Sequence, residues 1–385
     1  MATDNKDKVL NVPNLRFPEF TEVWKDSNIG KCFDLYSGNT PSRMEKKHFI
    51  GDVNWITSGE LKEHYIGDTK ERISEKAAAD NNLRILPVGT FVMAIYGLEA
   101  EGVRGTCSIT IKTSTISQAC MAFTPKSNVS NEFLYSWYKK HGNKIGIRYA
   151  QGTKQQNLSY DIIEKFPIRY PSIEEQEKLN TFISLLDKRI ATQNKIIEKL
   201  ESLIKGIYDK TFANFSKYLA LSSICKIQKG QQVNGEELSE FGEYYVMNGG
   251  IEPSGYYDKY NTMPNTISIS EGGNSCGYIQ FNTVPFWSGG HCYTLQGIST
   301  EYNTHFVYHY LKSKEKEIMA LRIGSGLPNI QKKDLEKYLI PVLSLETQKS
   351  IVNGINKIET KLKHEKDILS AYQTQKAYLL RNLFI

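Results

Sequence analysis

The sequence predicts an α+β protein made of two copies of one unit. Two similar globular domains, mixed but β-rich, are joined by two long helices that pair as an antiparallel coiled coil, giving a pseudo-two-fold internal repeat. Three observations predict this. An apolar seam runs through Ser172 to Phe212 in steps of four and three. The block Gly152 to Phe212 recurs at Gly324 to Phe384 without a gap. The stretch before each block breaks into short alternating runs bounded by Gly, Asn and Pro.

The seam consists of Leu179, Ile183, Leu186, Ile190, Gln193, Ile197, Leu200, Ile204 and Ile207. Alternating steps of four and three form a heptad pattern, which a long helix shows when it packs along one partner helix. The second copy carries Ile351, Ile355, Ile358, Leu362, Glu365, Leu369, Tyr372, Lys376 and Leu379 at the same places. Each helix has one greasy stripe and little else to bury it, so the two are expected to pack on each other. Gln193 and Glu365 are polar in both copies and each is the midpoint of its seam. In an antiparallel pair related by a pseudo-dyad, midpoints meet, and a buried polar pair can fix register. Gln193 and Glu365 are therefore the expected register residues.

The repeat has an offset of 172 residues: Asn157 falls on Asn329, Ser172 on Ser344, Glu174 on Glu346 and Gln176 on Gln348. Upstream, Asn131 falls on Asn303, the aromatic runs 133–138 and 305–310 coincide, and Cys120 falls on Cys292. Further back, Leu35-Tyr-Ser-Gly38 matches Ile227-Gln-Lys-Gly230 at an offset of 192, so the second copy is 20 residues shorter in front. Divergent globular parts on matched helices suggest two related surfaces that recognise different things.

In chain order, residues 1–20 read as an N-terminal arm, with Phe17, Phe20 and Trp24 as anchors. Residues 21–171 form the first globular domain, with strands expected at Cys32–Tyr36, Val53–Thr57, Thr90–Tyr96, Cys107–Ile111 and Cys120–Thr124. A helix with an aromatic face is expected over Asn131–His141. The first spacer helix covers 172–215, opened by a capping box of Ser172 and Glu175. The second domain covers 216–343, with strands at Ile224–Gln228, Thr266–Ser270, Gly277–Phe281 and His291–Leu295. The second spacer helix covers 344–385, capped by Ser344.

At 385 residues the chain is too long for one ordinary core. A net charge of +6 is compatible with nucleic acid without proving it. The six cysteines show neither CxxC nor zinc-finger spacing and read as buried thiols of a reducing cytoplasm. With no signal peptide and no run of 18 apolar residues, a cytoplasmic location is expected. Catalytic signatures are absent. No phosphate loop, no GxGxxG and no Asn/Asp-Pro-Pro-aromatic turn occurs. His305 and His309 have a metal pair's spacing but no third ligand, and read as solvent-facing or core-edge residues. The chain is expected to bind and position rather than to catalyse, with no metal of its own.

Two divergent domains, each followed by a helix that opens near Ser-hydrophobic-Glu-x-Gln, resemble the specificity subunit of type I restriction–modification enzymes. The segment Pro13-Asn-Leu-Arg-Phe-Pro-Glu-Phe20, the turn Gly38…Thr40-Pro41-Ser42 and the Gly-x-x loop before each closing strand add to the resemblance, which covers essentially the whole chain. It implies two target-recognition domains, each reading one half of a bipartite, asymmetric double-stranded DNA site, with the helical rod setting the gap. It also implies as partners two modification subunits that methylate adenine, and restriction subunits that translocate and cut. The methyl donor, ATP and Mg would sit on those partners, and no cofactor on this chain.

Loop chemistry agrees independently, because major-groove readout uses Arg, Lys, Asn, Gln and Ser on base edges and Lys or Arg on phosphates. In copy one the candidates are Ser42, Arg43, Lys46, Lys47, Tyr96, Arg104, Lys154, Gln155 and Gln156. In copy two they are Lys229, Gln231, Gln232, Asn234, Asn274, Gln331 and Lys332. The Leu179–Ile207 seam covers 28 residue steps, about 42 Å of helix, comparable with the ~34 Å between half-sites one DNA turn apart. Two rivals stay open at this level: a coiled-coil scaffold whose domains bind protein or RNA, and a nuclease or methyltransferase of unrecognised type.

Overall fold

The structure, a computed structural model, describes residues 11–99, 102–152, 156–324, 326 and 328–385. The chain divides into two compact units. Met1–Thr192 with Leu369–Ile385 forms the first and Gln193–Ile368 the second. Four helices organise them: α1 (Asn131–Tyr149), α2 (Ile173–Thr211), α3 (Thr304–Ser313) and α4 (Leu345–Leu383). Each unit contains one globular domain and a stretch of both α2 and α4.

In the first unit a five-stranded sheet has the order Phe33–Ser37, Cys120–Pro125, Phe91–Ala94, Cys107–Thr110, Tyr65–Ile66. It is antiparallel except for its last pair. A three-stranded sheet of Arg72–Ile73, Val53–Ile56 and Ser114–Ile116 has its own small core around Trp55. The second unit repeats the plan. Lys226–Lys229, Cys292–Gln296, Thr266–Ser270 and Ile279–Asn282 make a four-stranded sheet, and Tyr256–Tyr257, Tyr244–Met247 and Trp287–Ser288 a three-stranded one. The central strands are buried along their whole length, so both faces carry apolar or small residues: Phe91–Ala94 is a continuous apolar run, and Thr266–Ser270 alternates isoleucine with threonine and serine. The first unit also has the strand Tyr65–Ile66 and a short helix at Glu75–Asp80, with no counterpart among the described residues of the second. These account for its longer front part.

The long helices run antiparallel within each unit. In the first, Asp187 pairs with Lys376, and Arg189 Nη1 donates to the Tyr372 hydroxyl at 3.3 Å. In the second, Tyr208 donates to Glu359 at 3.1 Å and Lys366 pairs with Glu201 at 2.7 Å. Leu179, Ile183, Leu186, Gln193 and Ile197 are buried along α2, and Ile355 and Glu365 along α4.

Several local expectations are corrected. Helix α1 continues past His141 to Tyr149. Its Gly142 and Gly146 do not end it. They leave room for the Tyr138 ring and the Arg104 side chain, which a Cβ at either place would strike at 2.7 and 2.5 Å. Helix α2 stops at Thr211 rather than near Phe215. Its capping box is only half made. Ser172 Oγ accepts from Glu175 N at 3.4 Å, but the Glu175 carboxylate turns away to Arg16 (2.8 and 2.7 Å) and to Trp24 Nε1 (3.3 Å). That carboxylate thereby fastens the entry segment to the helix, helped by Leu15 N on Asn382 O at 3.0 Å. The part of the expected arm from residue 11 is thus packed into the first unit, while residues 1–10 lie outside the described residues. His309 is neither solvent-facing nor at a core edge. It is buried, 2.9 Å from the Tyr208 hydroxyl and 3.0 Å from Asn356, and burial lowers its pKa.

The upstream match also shifts by one residue. Ser130, not Asn131, caps α1 by accepting from Phe133 N, as Asn303 caps α3 by accepting from Phe306 N, both at 3.1 Å. Phe133 is therefore the counterpart of Phe306. The repeated glutamine explains why these caps matter. Gln176 Nε2 donates to the carbonyls of Asn128 (2.7 Å) and Pro171 (3.1 Å), and its Oε1 accepts from Ser130 N at 3.0 Å. Gln348 Nε2 donates to Glu301 O and Leu343 O, both at 3.0 Å, and its Oε1 accepts from Asn303 N at 2.8 Å. Each long helix is thus clamped to the cap of the domain helix preceding it. The far end of each long helix presents a phenylalanine to the same kind of target. Phe384 packs on Phe133 with ring centroids 5.3 Å apart, and Phe212 on Phe306 at 6.0 Å.

Candidate nucleic-acid interface

Two loop systems in the first unit hold the predicted residues. Ser42, Arg43, Lys46 and Lys47 lie exposed around the short 3-10 turn Lys46–Phe49, beside the small sheet. Arg43 is committed within the chain: its guanidinium makes a bidentate pair with Glu71, which raises its pKa, and stacks over Phe49 (4.6 Å) and Trp55 (5.2 Å). Lys47 pairs with Glu45 at 3.2 Å and stays largely in solvent. The second system joins the end of the central strand to the Gly-x-x segment. Tyr96 bridges to Asn157, and Arg104 Nη2 donates to Gln156 Oε1 at 3.1 Å. The Gln156 backbone N–H in turn donates to Glu99 at 2.7 Å. Tyr96, Arg104 and Gln156 are thus brought together. Lys154 and Gln155 lie outside the described residues.

The second unit builds the corresponding place from other residues. Gly272 bridges to Asn329 where Tyr96 bridges to Asn157. Around it opens a cleft of about 640 Å³ whose lining includes Lys229, Glu271, Asn274, His291 and Asn329. Lys229 and Asn274 are both brought into it. Gln231 and Gln232 are exposed on the loop after Lys229, where Gln231 O accepts from Trp287 Nε1 at 2.8 Å. Asn234 donates to Glu237 at 3.3 Å. Gln331 precedes the short helix Lys332–Glu336, and Lys332 reaches Glu336 at 3.6 Å. The sequence candidates left out Glu271 and His291, which line the cleft, and Tyr293, whose hydroxyl donates to Glu271. The available signal was Glu271 itself, a carboxylate directly before Gly272-Gly273 where the first copy has Ile95 before Tyr96.

At the centre of the seam, Gln193 Nε2 donates to the Glu365 backbone carbonyl at 3.0 Å and to its carboxylate, and both residues are buried. Lys361 pairs with the same carboxylate. These hydrogen bonds, from Lys361 first and then Gln193, hold the Glu365 pKa below the ordinary carboxylate range. All six cysteines are buried and free, and burial pushes Cys107 and Cys120 up to about 12. Among the described residues no three His, Cys, Asp or Glu side chains gather as a metal site, and no helix is long and apolar enough to cross a membrane.

A duplicated scaffold with unlike loop chemistry at equivalent positions defines a protein with two recognition modules. The family model for the type I restriction modification DNA specificity domain matches twice, over residues 21–202 and 216–371, and the chain belongs to that family. It is similar to the type I restriction enzyme MjaIX specificity subunit of Methanocaldococcus jannaschii, 24% identical over 417 residues, covering 96% of this chain and 94% of that one. A putative type I specificity subunit of Mycoplasma pneumoniae is 31% identical over 176 residues, 45% of this chain and 46% of its own. The crystal structure of a type I restriction–modification S subunit from M. genitalium shares the fold, with a TM-score of 0.66 at 20% identity over 97% of this chain and 99% of that one. A chain from a structure of type I system assembly and conformational transition gives 0.60 at 15% identity over 93% and 96%. The chain is accordingly a specificity subunit with two target-recognition domains, and DNA binding follows from the family.

Proposed function

We propose that the chain reads a bipartite, asymmetric duplex DNA target, one half-site per domain, with the paired long helices setting the gap between halves. It directs adenine methylation and ATP-dependent cleavage performed by partner subunits, two of them modification subunits and the rest restriction subunits. It works beside them in the cytoplasm. The methyl donor, ATP and Mg belong to those partners, and this chain contributes no cofactor and no catalytic group. Lys46 and Lys47 serve phosphates, while Tyr96, Arg104, Gln156 and Asn274 face base edges.

The observation that supports this best is the pairing of like scaffold with unlike loops. The bridges Tyr96–Asn157 and Gly272–Asn329 occupy the same place in the two units, yet the side chains around them differ in charge and size. A protein whose two modules read the same sequence would have no use for that difference. The test is to delete one heptad from both long helices, co-express the chain with its modification partners and sequence the methylome. The gap should shorten while both half-sites stay as they were. Altered half-sites with an unchanged gap would refute the reading.

A further inference from the structure

The β-ladders allow the two domains to be superposed residue by residue around the cleft of the second unit. In the first, Ser37 pairs with Met121, Ala94 with Cys120, and Ile95 N donates to Ala119 O at 2.9 Å. In the second, Lys229 pairs with Tyr293, Ser270 with Cys292, and Glu271 N donates to His291 O at 2.9 Å. The carbonyls of Ile95 and Glu271 then accept from Leu158 N and Ile330 N, both at 2.9 Å. One backbone site is therefore filled by Ser37, Ile95, Ala119 and Met121 in one domain, and by Lys229, Glu271, His291 and Tyr293 in the other. The first set shows that the backbone needs no charge here.

A charge placed where the fold does not need it costs stability, since a buried carboxylate must be desolvated. Glu271 is 9% exposed. Its Oε1 takes Lys229 Nζ at 2.6 Å and the Tyr293 hydroxyl at 2.9 Å. Its Oε2 is buried and has no hydrogen-bond donor among the described residues, and His291 Nδ1 stands 3.6 Å away. The walls beside it are main chain. Gly249 (φ +85°) and Gly273 (φ +77°) adopt backbone that other residues rarely reach. A Cβ at Gly249 would press on His291 Cβ and on the Gly272 carbonyl at 3.1 and 3.3 Å. Glycine main chain therefore lines the cleft beside Glu271, whose Oε2 is an acceptor without a donor among the described residues.

We propose that Glu271 is a specificity-determining residue of the second domain, which reads the exocyclic amino group of an adenine or a cytosine at one position of its half-site. This rests on the DNA-recognition reading above. In the major groove adenine and cytosine present an amino donor where guanine and thymine present a carbonyl oxygen. A carboxylate oxygen accepts from the first pair and repels the second. Lys229 and Tyr293 hold the other oxygen, so the acceptor is fixed in place. The first domain has Ile95 there and makes no such distinction.

The experiment uses the full chain assembled with its modification partners. Methylation and binding are measured on duplexes varied base by base through both half-sites. One further duplex replaces the base read by Glu271 with an analogue lacking the amino group. The wild type should lose roughly ten- to a hundredfold on that analogue, the range for one base pairing. Glu271→Ile, which installs the first domain's own residue, should be indifferent to the analogue. Glu271→Gln, whose amide both donates and accepts, should tolerate the carbonyl bases at that position. Selection at the first half-site reports whether each variant is folded. Variants that keep the wild-type preference at every position of the second half-site overturn the assignment. A wild-type complex with no defined motif would overturn the DNA-recognition reading itself.

Discussion

Replacing Gln348 by methionine keeps the side-chain volume and removes three hydrogen bonds at the joint between α4 and α3. The amide of Gln348 is fully buried, and it serves Glu301 O, Leu343 O and Asn303 N at 2.8–3.0 Å. A buried hydrogen bond contributes about 1 kcal/mol net, and a buried group left without a partner costs about 1–3 kcal/mol. The substitution should therefore weaken this joint by about 3 kcal/mol, a large fraction of a domain's total stability. Because Asn303 caps α3, the loss should be local. Hydrogen exchange read by mass spectrometry should show amides at 301–313 opening roughly a hundredfold faster, since about 1.4 kcal/mol is one decade. Gln176→Met should do the same around Ser130 in the first unit and leave 301–313 alone. Gln348→Glu should be worse than methionine, because one carboxylate oxygen would face two carbonyl oxygens. Exchange at 301–313 that changes less than threefold in Gln348→Met would show that the clamp is incidental to the packing around it.

Further outcomes concern the seam, charge and pH. Gln193→Leu and Glu365→Leu should each lower the unfolding midpoint, while the double variant should recover most of the loss by completing an apolar seam. Additive effects in that cycle would mean the two side chains do not depend on each other. Stability from the depressed Glu365 carboxyl is present above the ordinary carboxylate pKa and is lost as pH falls through its folded value. His141 is held at a pKa of about 4 by burial, offset in part by the Ile385 carbonyl. Its neutral form is the one that fits, so stability is full above about pH 6.5 and falls between 6.5 and 4 as the unfolded chain takes up the proton, by about 2 kcal/mol allowing for partial exposure. His141→Gln should flatten that part of the pH–stability curve. Lys46→Ala and Lys47→Ala should weaken DNA binding evenly across sequences and reduce the salt-dependence slope by about 1 for each phosphate left without its lysine. A change of preferred sequence would instead place these lysines on base edges.

The fold was legible where one physical rule governs a long stretch. A strict heptad spacing has only one economical solution, and a gapless repeat of 61 residues transfers that solution to its copy. The central strands were legible because both faces are buried. The sequence failed where a side chain has two possible partners. Glu175 stands where a capping box would use it, but Arg16 and Trp24 are better partners for a buried carboxylate than one N–H at an exposed helix start. The helix expected over Asn131–His141 runs on to Tyr149, with the Tyr138 ring and Arg104 occupying the space left by Gly142 and Gly146. In the candidate interface, Arg43 fitted the composition sought yet is tied to Glu71, whereas Glu271 did not fit it and sits at the floor of the second unit's cleft. Charge type alone does not tell a recognition residue from a structural one. The partners each side chain finds, such as Glu71 for Arg43 and Lys229 and Tyr293 for Glu271, are visible only in three dimensions.

Where the two copies agree and where they differ follows the division of labour. Gln176 and Gln348 clamp the caps Ser130 and Asn303, and Phe384 and Phe212 enter the aromatic faces of α1 and α3. These repeated residues all lie where a long helix meets a domain. There a changed side chain would tilt the domain on its helix and displace every loop it carries. At the tips of the sheets the rule reverses. Equivalent positions at the ladder ends hold Ile95 or Glu271, Ala119 or His291, Met121 or Tyr293, and the backbone pairs in the same register. A scaffold that tolerates both sets at one site can change what it reads without changing where it stands. On the reading proposed above, the joint fixes position and the cleft fixes identity, so substitutions in one should leave the other's readout intact.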